Sequence, residues 1–122
     1  MQIKINFHSE EAIYVQLKNQ IVIGIATETI REGDMLPSVR ALAEDAGINM
    51  HTVNKAYTLL KQEGFVQLDR RKGAMIALDL NKLDALADME WELRILLAKG
   101  RCKGISKDEI HALVDEILEE YQ

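Results

Sequence analysis

The chain has 122 residues, 48% of them hydrophobic and 29% charged, with a formal net charge of −5 and one cysteine. That length suits one domain, or one domain with a small appendage, and buries roughly two-thirds of the unfolded surface without staples. A lone Cys102 excludes an internal disulfide framework and fits a reducing cytosol; no long apolar run or basic-then-apolar leader is present, so a cytoplasmic protein with no membrane role is expected.

Residues 2–7, QIKINF, alternate polar and apolar and predict an extended arm or short strand. Ser9 is placed to cap a first helix over about 10–30, in which Ile13, Leu17, Ile21, Gly24 and Ile25 recur at helical spacing and Glu10 and Glu11 oppose the dipole. Pro37, the one proline of the chain, sits where a short second helix starts, over about 38–46, with Val39, Leu42 and Ala43 inward. Gly47 suits a left-handed cap, and Asn49 caps a third helix over about 49–63 that buries Val53, Ala56, Tyr57, Leu59 and Leu60.

That third helix carries an outer face of Asn49, His51, Thr52, Asn54 and Lys55. A packed inner face beneath short polar and basic groups is what reading base edges in the DNA major groove requires. Two short runs at 65–69 and 74–78 then bracket Arg70-Arg71-Lys72-Gly73, a strand–turn–strand that reads as a wing. The acidic total does not oppose this reading. Residues 1–78 hold nine basic and nine acidic side chains, whereas 79–122 hold six and eleven; the field at phosphates is set locally.

The remainder is helical. Leu83, Leu86, Ala87, Met89, Leu93, Leu96 and Leu97 give an apolar face over about 80–99. Ser106-Lys107-Asp108-Glu109 reads as a capping box for a last helix bearing Ile110, Leu113, Val114, Ile117, Leu118 and Tyr121. Two such helices have too little intrachain surface to cover them, so Leu83, Leu86, Met89, Trp91, Leu93, Leu96, Leu97, Ile110, Leu113, Val114, Ile117 and Leu118 are expected to make a homodimer. The fold class is mainly α (α+β), divided into a winged helix-turn-helix domain over 1–78 and a helical dimerisation segment over 79–122.

Several positions together resemble a known family: Gly33-Asp34-x-Leu36-Pro37-Ser38-x-Arg40-x-Leu42-Ala43, Gly47, Asn49-x-x-Thr52-Val53-x-Lys55-Ala56-Tyr57, Glu63-Gly64 and Gly73. This string is similar to the winged helix-turn-helix domain of the GntR family, over about Ile13 to Ile76. The short C-terminal part resembles the YtrA subfamily, in which two dimerisation helices stand where larger relatives carry an effector domain. The resemblance implies that Ser38, Arg40, Asn49, Met50, His51, Thr52, Asn54, Lys55, Arg70, Arg71, Lys72 and Gly73 face DNA. It implies phosphate contact for Arg40 and a minor-groove approach for Gly73. Met50 stands where many members have a guanine-reading arginine, and Arg71 where the wing often has another glycine. Control of a neighbouring transporter operon is a further implication.

The expected function is therefore a sequence-specific regulator, expected to repress, that binds double-stranded DNA at an inverted repeat. The competing reading is a winged-helix protein-interaction adaptor without a DNA role. No catalytic arrangement, cofactor motif or metal site is legible: His8, His51 and His111 are scattered. Arg40 has an alternative partner in Glu44 at i, i+4. Glu90 falls at a core-like position as a register device or a rim residue. Cys102, between Arg101 and Lys103, is read as an inert thiol in an interhelix turn. Any small-molecule inducer is expected near Tyr14, Tyr57 and Trp91.

Overall fold

The structure, a computed structural model, describes residues 2–71 and 73–122; Lys72, assigned to the wing tip from sequence, lies outside the described residues. Five helices and one hairpin follow in the order α1 (Ile13–Ala26), α2 (Val39–Ala46), α3 (Met50–Gln62), β1 (Val66–Asp69), β2 (Gly73–Ile76), α4 (Lys82–Cys102) and α5 (Lys107–Glu119). They divide into two units, Met1–Asp79 and Leu80–Gln122.

In the first unit, α1 contributes Leu17 and Ile21 to the core, α2 Leu42 and Ala43, and α3 Val53, Ala56, Tyr57 and Leu60. The hairpin closes the core with Val66, Ala74 and Ile76. Its strands are antiparallel, with Val66 opposite Ile76 and Asp69 opposite Gly73. The segment before α2 lies along the outer edge of β2: Gly33 N donates to Ile76 O, Ile76 N to Asp34 O and Leu36 N to Ala74 O, each at 2.8 Å. This edge satisfies backbone groups that a two-stranded hairpin would leave open.

Helix α1 is shorter than its apolar periodicity predicts, and Ser9 does not cap it. Its N-cap is Ala12, with no side-chain cap bond, while Ser9 Oγ accepts from Glu11 N at 3.0 Å in a preceding turn. At the far end Glu28 takes a left-handed conformation (φ 61°), and Ile30 N donates to Gly24 O at 3.1 Å. The chain thus turns off the helix without the glycine that usually marks this cap.

The arm over 2–7 forms no ladder with another strand. Two α1 glutamines hold it instead. Gln16, 7% exposed, accepts from Asn6 N at 2.9 Å and donates to Asn6 O and Glu11 O at 3.0 and 2.9 Å. One turn on, Gln20 accepts from Lys4 N at 2.9 Å and donates to Lys4 O. The i, i+4 rise of a helix, about 6 Å, nearly matches the i, i+2 spacing of an extended chain, about 6.6 Å, so two amides bind alternate arm residues.

In the second unit, α4 runs three residues past the predicted end and takes in both Gly100 and Cys102, so Cys102 is the last helical residue and not a turn residue. Gly104, at φ 80°, makes the turn, with Ile105 N donating to Gly100 O at 3.0 Å. The capping box on α5 is present in both directions: Glu109 N donates to Ser106 Oγ at 3.1 Å and Ser106 N to Glu109 Oε1 at 3.3 Å. Neither α4 nor α5 buries a single residue.

Candidate nucleic-acid interface

The candidate surface begins with two capped helices. Ser38 Oγ accepts from Ala41 N at 3.1 Å and starts α2 directly after Pro37, with Arg40 exposed in the first turn. Gly47 ends α2 in the left-handed region (φ 69°), which a Cβ would strain, and reverses the chain within two residues. Asn49 Oδ1 accepts from His51 N at 2.7 Å and starts α3. The predicted contacts Ser38 and Asn49 therefore serve first as caps. The Asn49 carboxamide oxygen takes the cap bond, which leaves its NH₂ as the group with donors to offer a partner.

On α3, Met50, His51, Asn54 and Lys55 are exposed and Thr52 is half-buried, as a helix needs when one side packs and the other reads. At about 100° per residue, Asn54 and Lys61 fall on the flank facing the wing and Lys55 on the flank facing α1. The contacts agree: Lys55 Nζ lies 4.1 Å from the centroid of the Tyr14 ring on α1. Glu63, the nearby acidic group at the end of α3, is paired with Lys18 at 3.1 Å. Arg40 forms no ion pair with Glu44, since the ion pairs among the described residues are Lys18–Glu63 and Arg94–Glu90.

The wing tip is an Asx turn in which Arg71 N donates to Asp69 Oδ1 at 2.7 Å. Arg70 and Arg71 are exposed, and Gly73 re-enters the hairpin at φ 89°. Between wing and helices lies an open cleft of about 510 Å³ lined by Pro37, Ser38, Asn54, Tyr57, Lys61 and Arg70, among others. Tyr57 forms its floor. The ring is 3% exposed, its Oη donates to Pro37 O at 2.8 Å, and burial pushes the phenol well above its ordinary range, so it stays a donor. That bond ties α3 to the residue before α2.

Sequence reasoning missed three parts of this surface: the Tyr14 ring under Lys55, the Tyr57–Pro37 bond, and the 33–36 edge bracing the wing. Tyr14 and Tyr57, which sequence placed together beside an inducer, occupy opposite flanks of α3: Tyr14 meets Lys55, and Tyr57 lines the cleft. Among the described residues no His/Cys/Asp/Glu group is arranged to hold a metal ion. No helix among them is long and apolar enough to cross a membrane.

A capped short helix, a glycine turn, a second helix with an exposed polar face and a braced basic hairpin define a winged helix-turn-helix DNA-binding unit. Residues 11–76 match the family described as "Bacterial regulatory proteins, gntR family", and the chain belongs to that family. It is 29% identical over 118 residues to the HTH-type transcriptional repressor YtrA of Bacillus subtilis (strain 168), covering 94% of this chain and 91% of that protein. Among solved structures it is similar to a transcriptional antiterminator from Listeria monocytogenes EGD-e (TM-score 0.87, 30% identity, 96% and 90% of the two chains). It is also similar to YtrA from Sulfolobus acidocaldarius, a GntR-family transcription factor (TM-score 0.59, 36% identity, 97% of each chain). The protein is thus a DNA-binding transcriptional regulator, and the adaptor reading is set aside.

Proposed function

We propose that this regulator acts as a homodimeric repressor, occluding a promoter by seating two copies of α3 in successive major grooves of an inverted repeat. One observation carries the dimer: α4 and α5 bury nothing, yet they bear Leu83, Leu86, Met89, Trp91, Leu93, Leu96 and Leu97, then Leu113, Val114, Ile117 and Leu118, all exposed, with Ile110 half-buried. A two-fold partner covers the same face on both chains at once, which a closed assembly requires. The division at 79/80 leaves the winged unit with its own core, which supports reading the helical unit as the dimerisation segment.

The division of labour on DNA follows from chemistry. Under this reading the exposed Arg40, Arg70 and Arg71 take phosphates, and His51, Thr52 and Asn54 on α3 take base edges. Met50 brings no fork of donors, so its position suits an apolar neighbour such as a thymine methyl. Lys61 and Arg70 flank the cleft through which the backbone between the two grooves would pass. Repression is supported by the likeness to a protein named a transcriptional repressor over nearly the whole chain. The target under this reading is the gene's own operon or a neighbouring one, such as a transporter operon. Mobility shift with the gene's upstream DNA, paired with sedimentation of the free protein, tests the reading. A dimer that shifts this DNA and releases it on competition with operator supports it; a monomer, or no preference over random DNA, counts against it.

A further inference from the structure

We propose that Tyr14 is a positioning residue for the recognition helix: its ring holds the Lys55 ammonium at the α1 flank of α3 and presents it to DNA already ordered. The inference rests on the DNA reading above and adds to it a residue outside the helix-turn-helix and wing. Lys55 Nζ stands 4.1 Å from the ring centroid, within the range over which a π face attracts a cation. Tyr14 is half-buried against the core whereas Lys55 is exposed, so the ring is the fixed partner and the lysine the mobile one.

The kind of partner decides what the contact does. A carboxylate would neutralise the ammonium and compete with phosphate. An aromatic face takes one side of the ammonium, leaves its charge intact and leaves N–H donors pointing to solvent. Among the described residues no ion pair involves Lys55, so its charge remains available to DNA. A lysine on an open helix face otherwise loses substantial side-chain freedom when it binds, and a ring that already restricts it removes part of that loss.

The full-length protein and four variants, Tyr14→Phe, Tyr14→Leu, Lys55→Met and the Tyr14→Leu/Lys55→Met pair, test this. In the free protein, proton NMR of the Lys55 ε-methylene should show upfield ring-current shifts that persist in Tyr14→Phe and vanish in Tyr14→Leu, a signature that general loosening of α1 would not give. On a duplex of the gene's upstream region, Tyr14→Leu should weaken binding roughly two- to fivefold, Tyr14→Phe should stay within about twofold, and Tyr14→Leu should add nothing in the Lys55→Met background. Equal losses for Phe and Leu would make the hydroxyl a direct DNA contact and overturn the proposal. So would an undiminished loss in the Lys55→Met background, or tighter binding by Tyr14→Leu, which would mean the ring parks the lysine away from DNA. Wild-type protein that binds no duplex at all would sink the DNA reading together with the proposal; wild-type binding with any of these three outcomes sinks the proposal alone.

Discussion

Replacing Tyr57 with phenylalanine removes one oxygen from the cleft between wing and helices and little else. The hydroxyl donates to Pro37 O at 2.8 Å, and Ser38, which caps α2, is the next residue. Truncating one partner leaves the carbonyl to find another donor. Because the cleft beside it is open, water supplies part of the replacement, and the cost falls at the lower end of the usual range, about 1 kcal/mol. In a unit of this size that lowers the melting temperature by about 4–8 °C. The pH dependence gives a second, independent sign. Burial raises the folded-state phenol above its free value of about 10. A raised folded value means that this contribution is complete below pH ~10 and is lost as pH climbs from there toward the folded value. Thermal melts followed by circular dichroism at neutral pH and across pH 9–11 read both effects. Wild type should melt higher at neutral pH and lose part of that lead in alkali, because Tyr57→Phe lacks this titration. The variant should also bind operator more weakly with a shallower salt dependence, since the phosphate contacts proposed for α2 would lose their tie to α3. An unchanged neutral melting temperature, together with parallel alkaline limbs, would refute the argument that this bond sets the junction.

Arg71→Ala should weaken binding to every sequence and reduce the salt slope by about one ion, whereas His51→Ala should cost about 1–3 kcal/mol on operator and far less on random DNA; salt titrations on both duplexes separate the two. Leu93→Glu with Leu97→Glu should yield a folded monomer by sedimentation whose operator affinity drops by one or more orders of magnitude, because two half-sites are no longer engaged together. Gln16→Leu should release the arm at Asn6, seen as fast amide exchange there while Lys4 stays held by Gln20, and destabilise by about 1–2 kcal/mol in urea titration, since the bonds lost are partly open to water.

What the sequence made legible is what repeats locally. The cap Asn49, the turn at Gly47 and the capping box at Ser106 each depend on residues within four positions of one another, and each stands where the pattern places it; the sequence reading of α2 rests on Pro37 and leaves out Ser38 as its cap. Helix ends were less legible. At α1 the left-handed residue is Glu28, not a glycine, and the apolar periodicity runs on past the true end. At α4 two glycines compete: Gly100 continues the helix, Gly104 turns it, and Ile105 folding back toward Gly100 makes the difference. The rest of the site is non-local. Tyr57 reaches Pro37 across 20 positions, Lys55 meets Tyr14 from another helix, and residues 33–36 pair with a strand that lies beyond α3. No spacing rule encodes such pairings; they exist once the core brings the elements together.

In the proposed assembly two copies of this chain read DNA by sequence across a two-fold axis. Selection of the full-length protein on a pool of random duplexes measures it directly. A two-fold dimer should enrich an inverted repeat with half-site centres about one helical turn apart, roughly 34 Å or 10 base pairs. Recovery of a direct repeat, of a single unpaired half-site, or of no enriched sequence would contradict that assembly.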